Sequence, residues 1–195
     1  MPPHLTFANS MKHLLLAIIS GTLLVALISS CSTMRIDTPD FELPAKATRE
    51  AGHDKKRNYE DYTFRDTRVR FYSADTSPDL QSWDGFGTDG GHPRELLTGV
   101  LIKSECGDYE LPATLINDLG NPNIRQTAGY DYVRIDQIAT VLRIAMANSD
   151  GAGSYQVLFV VDLQKGRAQR YVRDYMDPDF IRTHEWMPII KKGEQ

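Results

Sequence analysis

Leu14 to Ile28 is a run of fifteen residues without a charge, and it decides how much of this chain is available to fold. It follows the short basic start Met11-Lys12-His13 and ends on Ile28-Ser29-Ser30-Cys31. A cationic start, an apolar middle and small residues before a cut site are the parts of a secretory signal peptide. A retained membrane span would need about 20 apolar residues, more than this run supplies. A core helix, apolar all round, is out of place at the extreme N-terminus. Residues 1–10 fit poorly ahead of a signal, so Met11 is the expected true start. With residues 1–30 removed, about 165 remain, enough for one domain with a real core.

Ser29-Ser30-Cys31 resembles the lipobox of bacterial lipoproteins. That resemblance implies a diacylglycerol on the Cys31 thiol, cleavage just before it and acylation of the new amino group. Ser32 stands where an Asp would imply retention in the inner membrane, so the expected location is the outer membrane, with the domain facing the periplasm or the cell surface. One acyl chain anchors marginally and each buried methylene adds about 0.8 kcal/mol, so two or three chains hold durably. The membrane is thus one expected partner. The whole chain has a net charge of −4, and the removed segment contains Lys12 but no acidic residue. A mildly acidic, exported chain is not a general nucleic-acid binder. With Cys31 acylated, Cys106 has no partner in its own chain. A lone thiol can be catalytic, can cross-link two chains or can be buried, and the interior preference of free cysteine makes burial the expectation.

Residues 31–58 read as a lipidated flexible tether. They contain Pro39, Pro44 and the charge-rich run Arg49 to Arg57, with no apolar period. A flexible chain of this length reaches on the order of 30 Å. Residues 59–190 form the expected single domain. Tyr62 to Tyr72 is aromatic and β-branched, which favours one extended strand or a pair. Its arginines alternate with aromatics, as in a base- or phosphate-binding face, or as in a half-buried strand with one wet side. Ser77 to His92 is loop. From Pro93, Leu96, Leu97, Val100 and Leu101 suit a helix, with a strand over 96–103 as the alternative. Pro112 to Leu119 has the marks of a second helix: Pro at the first position, the stripe Leu111, Leu115, Ile116 and Leu119, then Gly120 and Pro122 as stop signals. Tyr130 to Ile135 and Tyr155 to Asp162 read as strands, the latter with Leu158 and Val160 implying cover on its second face. Gln137 to Ala147 fits helix and strand spacing alike, and strand is preferred because a meander then continues through Leu163–Gly166 to Arg173. The fold class expected is α+β: a small antiparallel meander with two short helices on one face.

Pro112 to Pro122, the tyrosines of Tyr130-Asp131-Tyr132-Val133, and the strand and turn of Val157 to Gly166 resemble the SmpA/OmlA (BamE-like) lipoprotein family over about residues 96–173. That resemblance implies the same α+β fold and, by analogy only, a non-enzymatic role in the cell envelope.

Candidate chemistry is sparse. His53, His92 and His184 lie in different regions, and no His-Glu-x-x-His or Gly-x-Ser-x-Gly is present. Asp84, Asp89 and His92, in a glycine-rich stretch, could wrap a metal ion, although such stretches are ordinarily solvated loops. A Cys106–His92 nucleophile pair would need the fold to unite them. No catalytic residue and no cofactor is assigned. The expected function is a membrane-anchored, non-enzymatic accessory module that binds another envelope protein. The alternatives are a hydrolase using Cys106 or the Asp84–His92 loop, and a carrier of lipid or another small hydrophobic ligand.

Overall fold

The computed structural model describes residues 39–43, 47–54, 57–125, 130–148 and 153–193. Residues 1–38, including the apolar segment and Cys31, lie outside them. Two antiparallel sheets account for the described strands. The first is a meander of β1 (Thr48–Asp54), β2 (Arg57–Phe64), β3 (Thr67–Asp75), β4 (Glu95–Ser104) and β5 (Gly107–Glu110). The second is a meander of β6 (Val133–Ile138), β7 (Val141–Asn148), β8 (Tyr155–Asp162), β9 (Arg167–Asp174) and β10 (Ile181–Pro188). The chain then returns to the first sheet, where β11 (Ile190–Lys191) pairs with β5.

One apolar core lies between the two sheets. Tyr62, Phe64, Val69, Phe71, Val100 and Ile102 of the first sheet join Ile135, Ile144, Val157, Phe159 and Val172 of the second in a single buried cluster. The period of two in β3 and β8 puts these residues on one face each. Burying a side chain the size of Phe71 or Phe159 contributes about 1.5–3 kcal/mol. β8 is buried along its whole length. On its outer side Pro39–Leu43 crosses the sheet with Phe41 and Leu43 buried. Arg134 fixes that segment by an ion pair to Glu42, at 2.8 Å, and a bond to the Leu43 carbonyl, while the Arg173 guanidinium lies over the Phe41 ring.

This all-β arrangement corrects the expected α+β class. Among the described residues there is no α-helix, only a 3₁₀ turn at Ala113–Leu115. The segment expected to be a helix from Pro93 is β4. Tyr72 pairs with Gly99 while Ser73 pairs with Leu97, so Thr98 is an extra residue in a bulge. That bulge puts Leu97, Val100 and Ile102 on the core side and produces the helix-like spacing. In the second expected helix the stripe Leu111, Leu115, Ile116 and Leu119 is buried, but the backbone is tied to distant elements. Leu97 N–H donates to Leu119 O, Phe86 N–H to Asp118 O, and the Tyr155 hydroxyl to Gly120 O. Regular structure is also present before residue 59, since β1 lies within the stretch read as tether.

Candidate functional site

A cleft opens on the outer face of the second sheet, with a volume of about 370 Å3. Its floor is Ala145 and Ala147 of β7, small side chains that leave a depression between longer neighbours. Tyr132 and Arg134 come from the start of β6, Gln156 from β8, Tyr175 from the end of β9, and Phe41 with Glu42 from the crossing segment. Tyr130 stacks on Tyr132 with ring centroids 5.9 Å apart and planes 21° apart, and is itself 66% exposed. Stacking therefore holds one flat aromatic face in place while leaving it open to solvent.

The polar groups of the cleft are ordered by a relay that fixes their donor and acceptor roles. Arg173 Nε donates to Gln156 Oε1 at 3.0 Å, with a second bond from its Nη2. A guanidinium only donates, so the amide oxygen must face it and the amide nitrogen must face outward. Gln156 Nε2 accordingly donates to the Tyr175 hydroxyl oxygen at 3.0 Å. That leaves the Tyr175 hydroxyl proton available at the cleft mouth.

The other candidates fall differently. Asp84, Asp89 and His92 are all exposed, and among the described residues no three His, Cys, Asp or Glu side chains are grouped to hold a metal ion. Their loop is shaped instead by Asn121, whose Nδ2 donates to Gly87 O at 2.7 Å and whose Oδ1 accepts from Arg94 N–H. Cys106 is exposed, not buried as its residue type suggested, because it sits in the tight turn between β4 and β5. It borders a second cleft of about 240 Å3 with Arg65, Asp66, Glu105 and Thr140. His92 precedes β4 and Cys106 follows it. Ten strand residues separate them, about 33 Å of extended chain, so the fold does not form the nucleophile pair. The arginines of β3 are bound within the sheet: Arg68 and Arg70 both pair with Asp61, and Arg70 also stacks on Tyr59 at 4.1 Å. Burial raises the Asp61 pKa, but bonds from the two guanidiniums outweigh it and hold the carboxyl below its ordinary value.

His184, left without a role by the sequence, belongs to a buried ionic cluster. Arg170 is fully buried, bonds both carboxylate oxygens of Asp118, and donates to Leu115 O at 2.9 Å. Its Nη2 also lies 2.9 Å from His184 Nδ1. The imidazole must accept there, so that nitrogen carries no proton. Burial first, and then Arg170, lower the His184 pKa, with Asp118 opposing. This cluster fastens the 112–120 turn to the second sheet.

β10 is the exposed edge of the second sheet, paired with β9 on one side only. Arg182, Thr183 and Glu185 are exposed along it, and Met176 and Phe180 are exposed in the loop that leads into it. The sequence pointed to binding through the sheet or an edge strand in general, but neither to β10 nor to the cleft. The Tyr130-Asp131-Tyr132 pair and Tyr175, aromatics at strand ends, were the available signal for the cleft. No protein-family model, no curated protein and no solved structure matches this chain.

Proposed function

We propose that the chain is a lipid-anchored, non-enzymatic accessory module of the bacterial cell envelope, acylated on Cys31, that binds another envelope protein through the β10 edge. The observation that carries the binding role is an eight-residue edge strand whose regular half, Ile181–His184, offers unpaired main-chain groups beside the exposed Met176 and Phe180. An extended partner segment can add to such an edge by main-chain hydrogen bonds, with side chains supplying specificity. The bulge between His184 and Met187 and the following Pro188 limit pairing to the first half and so protect against open-ended self-association. The lipobox-like Ser29-Ser30-Cys31 supports the anchor, and Ser32 supports the outer membrane as its location.

The competing readings have less to stand on. A hydrolase built on Cys106 and His92 would need two groups that lie at opposite ends of β4. A hydrophobic carrier would need an apolar cavity, whereas the cleft on the second sheet is walled by Glu42, Asp131, Arg134 and Gln156.

Two measurements in intact bacteria test the proposal. Cys31→Ala should abolish incorporation of an alkyne-labelled fatty acid and release the protein from the membrane fraction. A photo-cross-linking residue at Thr183 should give one discrete protein adduct that an identical residue at Asp66, on the far end of the fold, does not give. Normal acylation of the Cys31→Ala chain would refute the anchor. The same adducts from both positions would refute the edge as the binding surface.

A further inference from the structure

We propose that the cleft on the outer face of the second sheet is a saccharide-binding site, taking a neutral pyranose ring against Tyr130 and hydrogen-bonding it through Tyr175. The site is separate from the β10 edge and does not depend on the anchor.

A pyranose presents a face of weakly positive C–H bonds and a rim of hydroxyl groups. The π-face of an aromatic ring is negative and attracts such C–H bonds. Tyr130 offers that face already positioned, since it is stacked on Tyr132 yet 66% exposed. The rim needs directional partners. The Arg173–Gln156–Tyr175 relay supplies one whose direction is fixed, because the Tyr175 oxygen is occupied by Gln156 Nε2 and its proton must point elsewhere. Tyr175 is 53% exposed, so an incoming oxygen can reach that proton. The alanine floor leaves about 370 Å3, within the roughly 300–1,000 Å3 of small-molecule sites.

Charge decides between this and other occupants. Aromatic side chains with acids nearby can also form a cage for a cationic amine. Here a guanidinium already lies over Phe41, that of Arg173 at 4.6 Å, and Arg134 stands in the wall. An anion would meet Glu42 and Asp131. Glu42 and Arg134 are paired with each other at 2.8 Å, so the wall presents polarity without a strong field of either sign. A neutral ligand rich in hydroxyl groups suits it best. An acyl chain would have to dehydrate these charged groups for no return.

The probe is a β-1,4-linked N-acetylglucosamine series, from monomer to tetramer, titrated into the full acylated chain in a detergent without a sugar headgroup. Binding is read by calorimetry and by chemical-shift changes at Ala145, Ala147 and Tyr175. Saturable binding at millimolar concentration or below is expected, with Tyr130→Ala and Tyr175→Phe each weakening it about tenfold, as loss of one contact in a partly desolvated site does. Tyr130→Phe should bind as the unmodified chain does. All of these variants alter exposed positions, and an unchanged thermal midpoint certifies that they fold. Affinity that rises with oligomer length would assign the source to a glycan polymer, and affinity already complete with the monomer to a free sugar. No saturable binding by any member of the series would overturn the proposal. So would binding indifferent to Tyr130→Ala, or shifts at these residues produced by tetramethylammonium or a proline-rich peptide and not by the saccharides.

Discussion

Replacing Asp118 by Asn should destabilise this fold more than replacing Arg170 by Met, although the first change is chemically the smaller. Arg170 is wholly buried and its charge is met by the two oxygens of Asp118, whose side chain remains 25% exposed. Removing the Asp118 charge strands a cation in the core, which costs about 3–5 kcal/mol. Removing the cation leaves a carboxylate that can turn to water and one unpaired carbonyl at Leu115, a cost of about 1–3 kcal/mol. The double variant should be more stable than Asp118→Asn alone, because the stranded charge has gone. The assay is urea unfolding of the Cys31→Ala chain, followed by the fluorescence of Trp83 and Trp186. With a slope of about 2 kcal/mol per molar, Asp118→Asn should lower the midpoint by roughly 2 M. A midpoint for Asp118→Asn equal to that of the parent, or strictly additive effects in the double variant, would refute the claim that a buried ion pair fastens the 112–120 turn to the sheet.

Three further outcomes follow from particular residues. His184 has a lowered pKa in the folded state, so the unfolded chain takes up its proton first as pH falls. Stability should be complete above about pH 6.5 and decline below it until the folded pKa is passed, and His184→Gln should flatten the unfolding midpoint between pH 7.5 and 5.5. Cys106 is exposed in a turn, so thiol reagents should label it almost as fast in the folded protein as in denaturant; strong protection would show the turn to be covered. Gly87 has φ of +98° and a Cβ there would stand 2.1 Å from the Gly120 carbonyl oxygen. Gly87→Ala should therefore cost at least about 1–3 kcal/mol of backbone strain, measured as a lowered thermal midpoint.

The second meander was legible as far as Arg173, β10 being missed, because its earlier strands carry their own signals. Tyr155 to Asp162 holds a continuous apolar run, Val157 to Val161, as a strand covered on both faces does. Gly166 takes the positive φ of 60° that its turn requires, and Gln137 to Ala147 reads as strand once its neighbours do. In the first sheet the strands of Tyr62 to Tyr72 were legible, whereas β4 hid behind a single inserted residue. A bulge at Thr98 converts period two into the i, i+1, i+4, i+5 spacing of Leu96, Leu97, Val100 and Leu101, which periodicity alone assigns to a helix. Pro112 to Leu119 failed for a different reason. An eight-residue helix has little stability of its own, and here Tyr155, Phe86, Leu97 and Arg170 supply partners to the turn from remote parts of the chain. The capping signals were real, but they ended a turn, not a helix. The α+β expectation, and the fold implied by the SmpA/OmlA resemblance, both rested on these two segments.

The cleft was hidden because its parts lie far apart in sequence and its most telling pieces look like linker. Phe41 and Glu42 sit among prolines and charges with no apolar period, yet Phe41 is buried under Arg173. An isolated hydrophobic residue in a polar segment gives no periodic signal, and what it packs on is set by tertiary contact alone. β1 shows the same limit. Its Thr-Arg-Glu-Ala-Gly-His-Asp sequence offers no face to bury, and the strand exists because seven consecutive residues find main-chain partners on β2. Pairing with a neighbour, not side-chain pattern, makes that element. The described residues of the fold include Phe41, ten positions after Cys31 in the sequence. Ten residues span at most about 36 Å, so, if Cys31 is acylated as proposed, the Phe41 wall of the cleft lies within that reach of the anchor. On the two proposals together, a saccharide bound there would be met near the membrane surface. Extending the chain between Cys31 and Pro39 with Gly-Ser repeats should therefore leave binding of free oligosaccharide unchanged while altering capture of glycan fixed to the same vesicle; equal capture at every length would show that the short connection has no bearing on what the cleft meets.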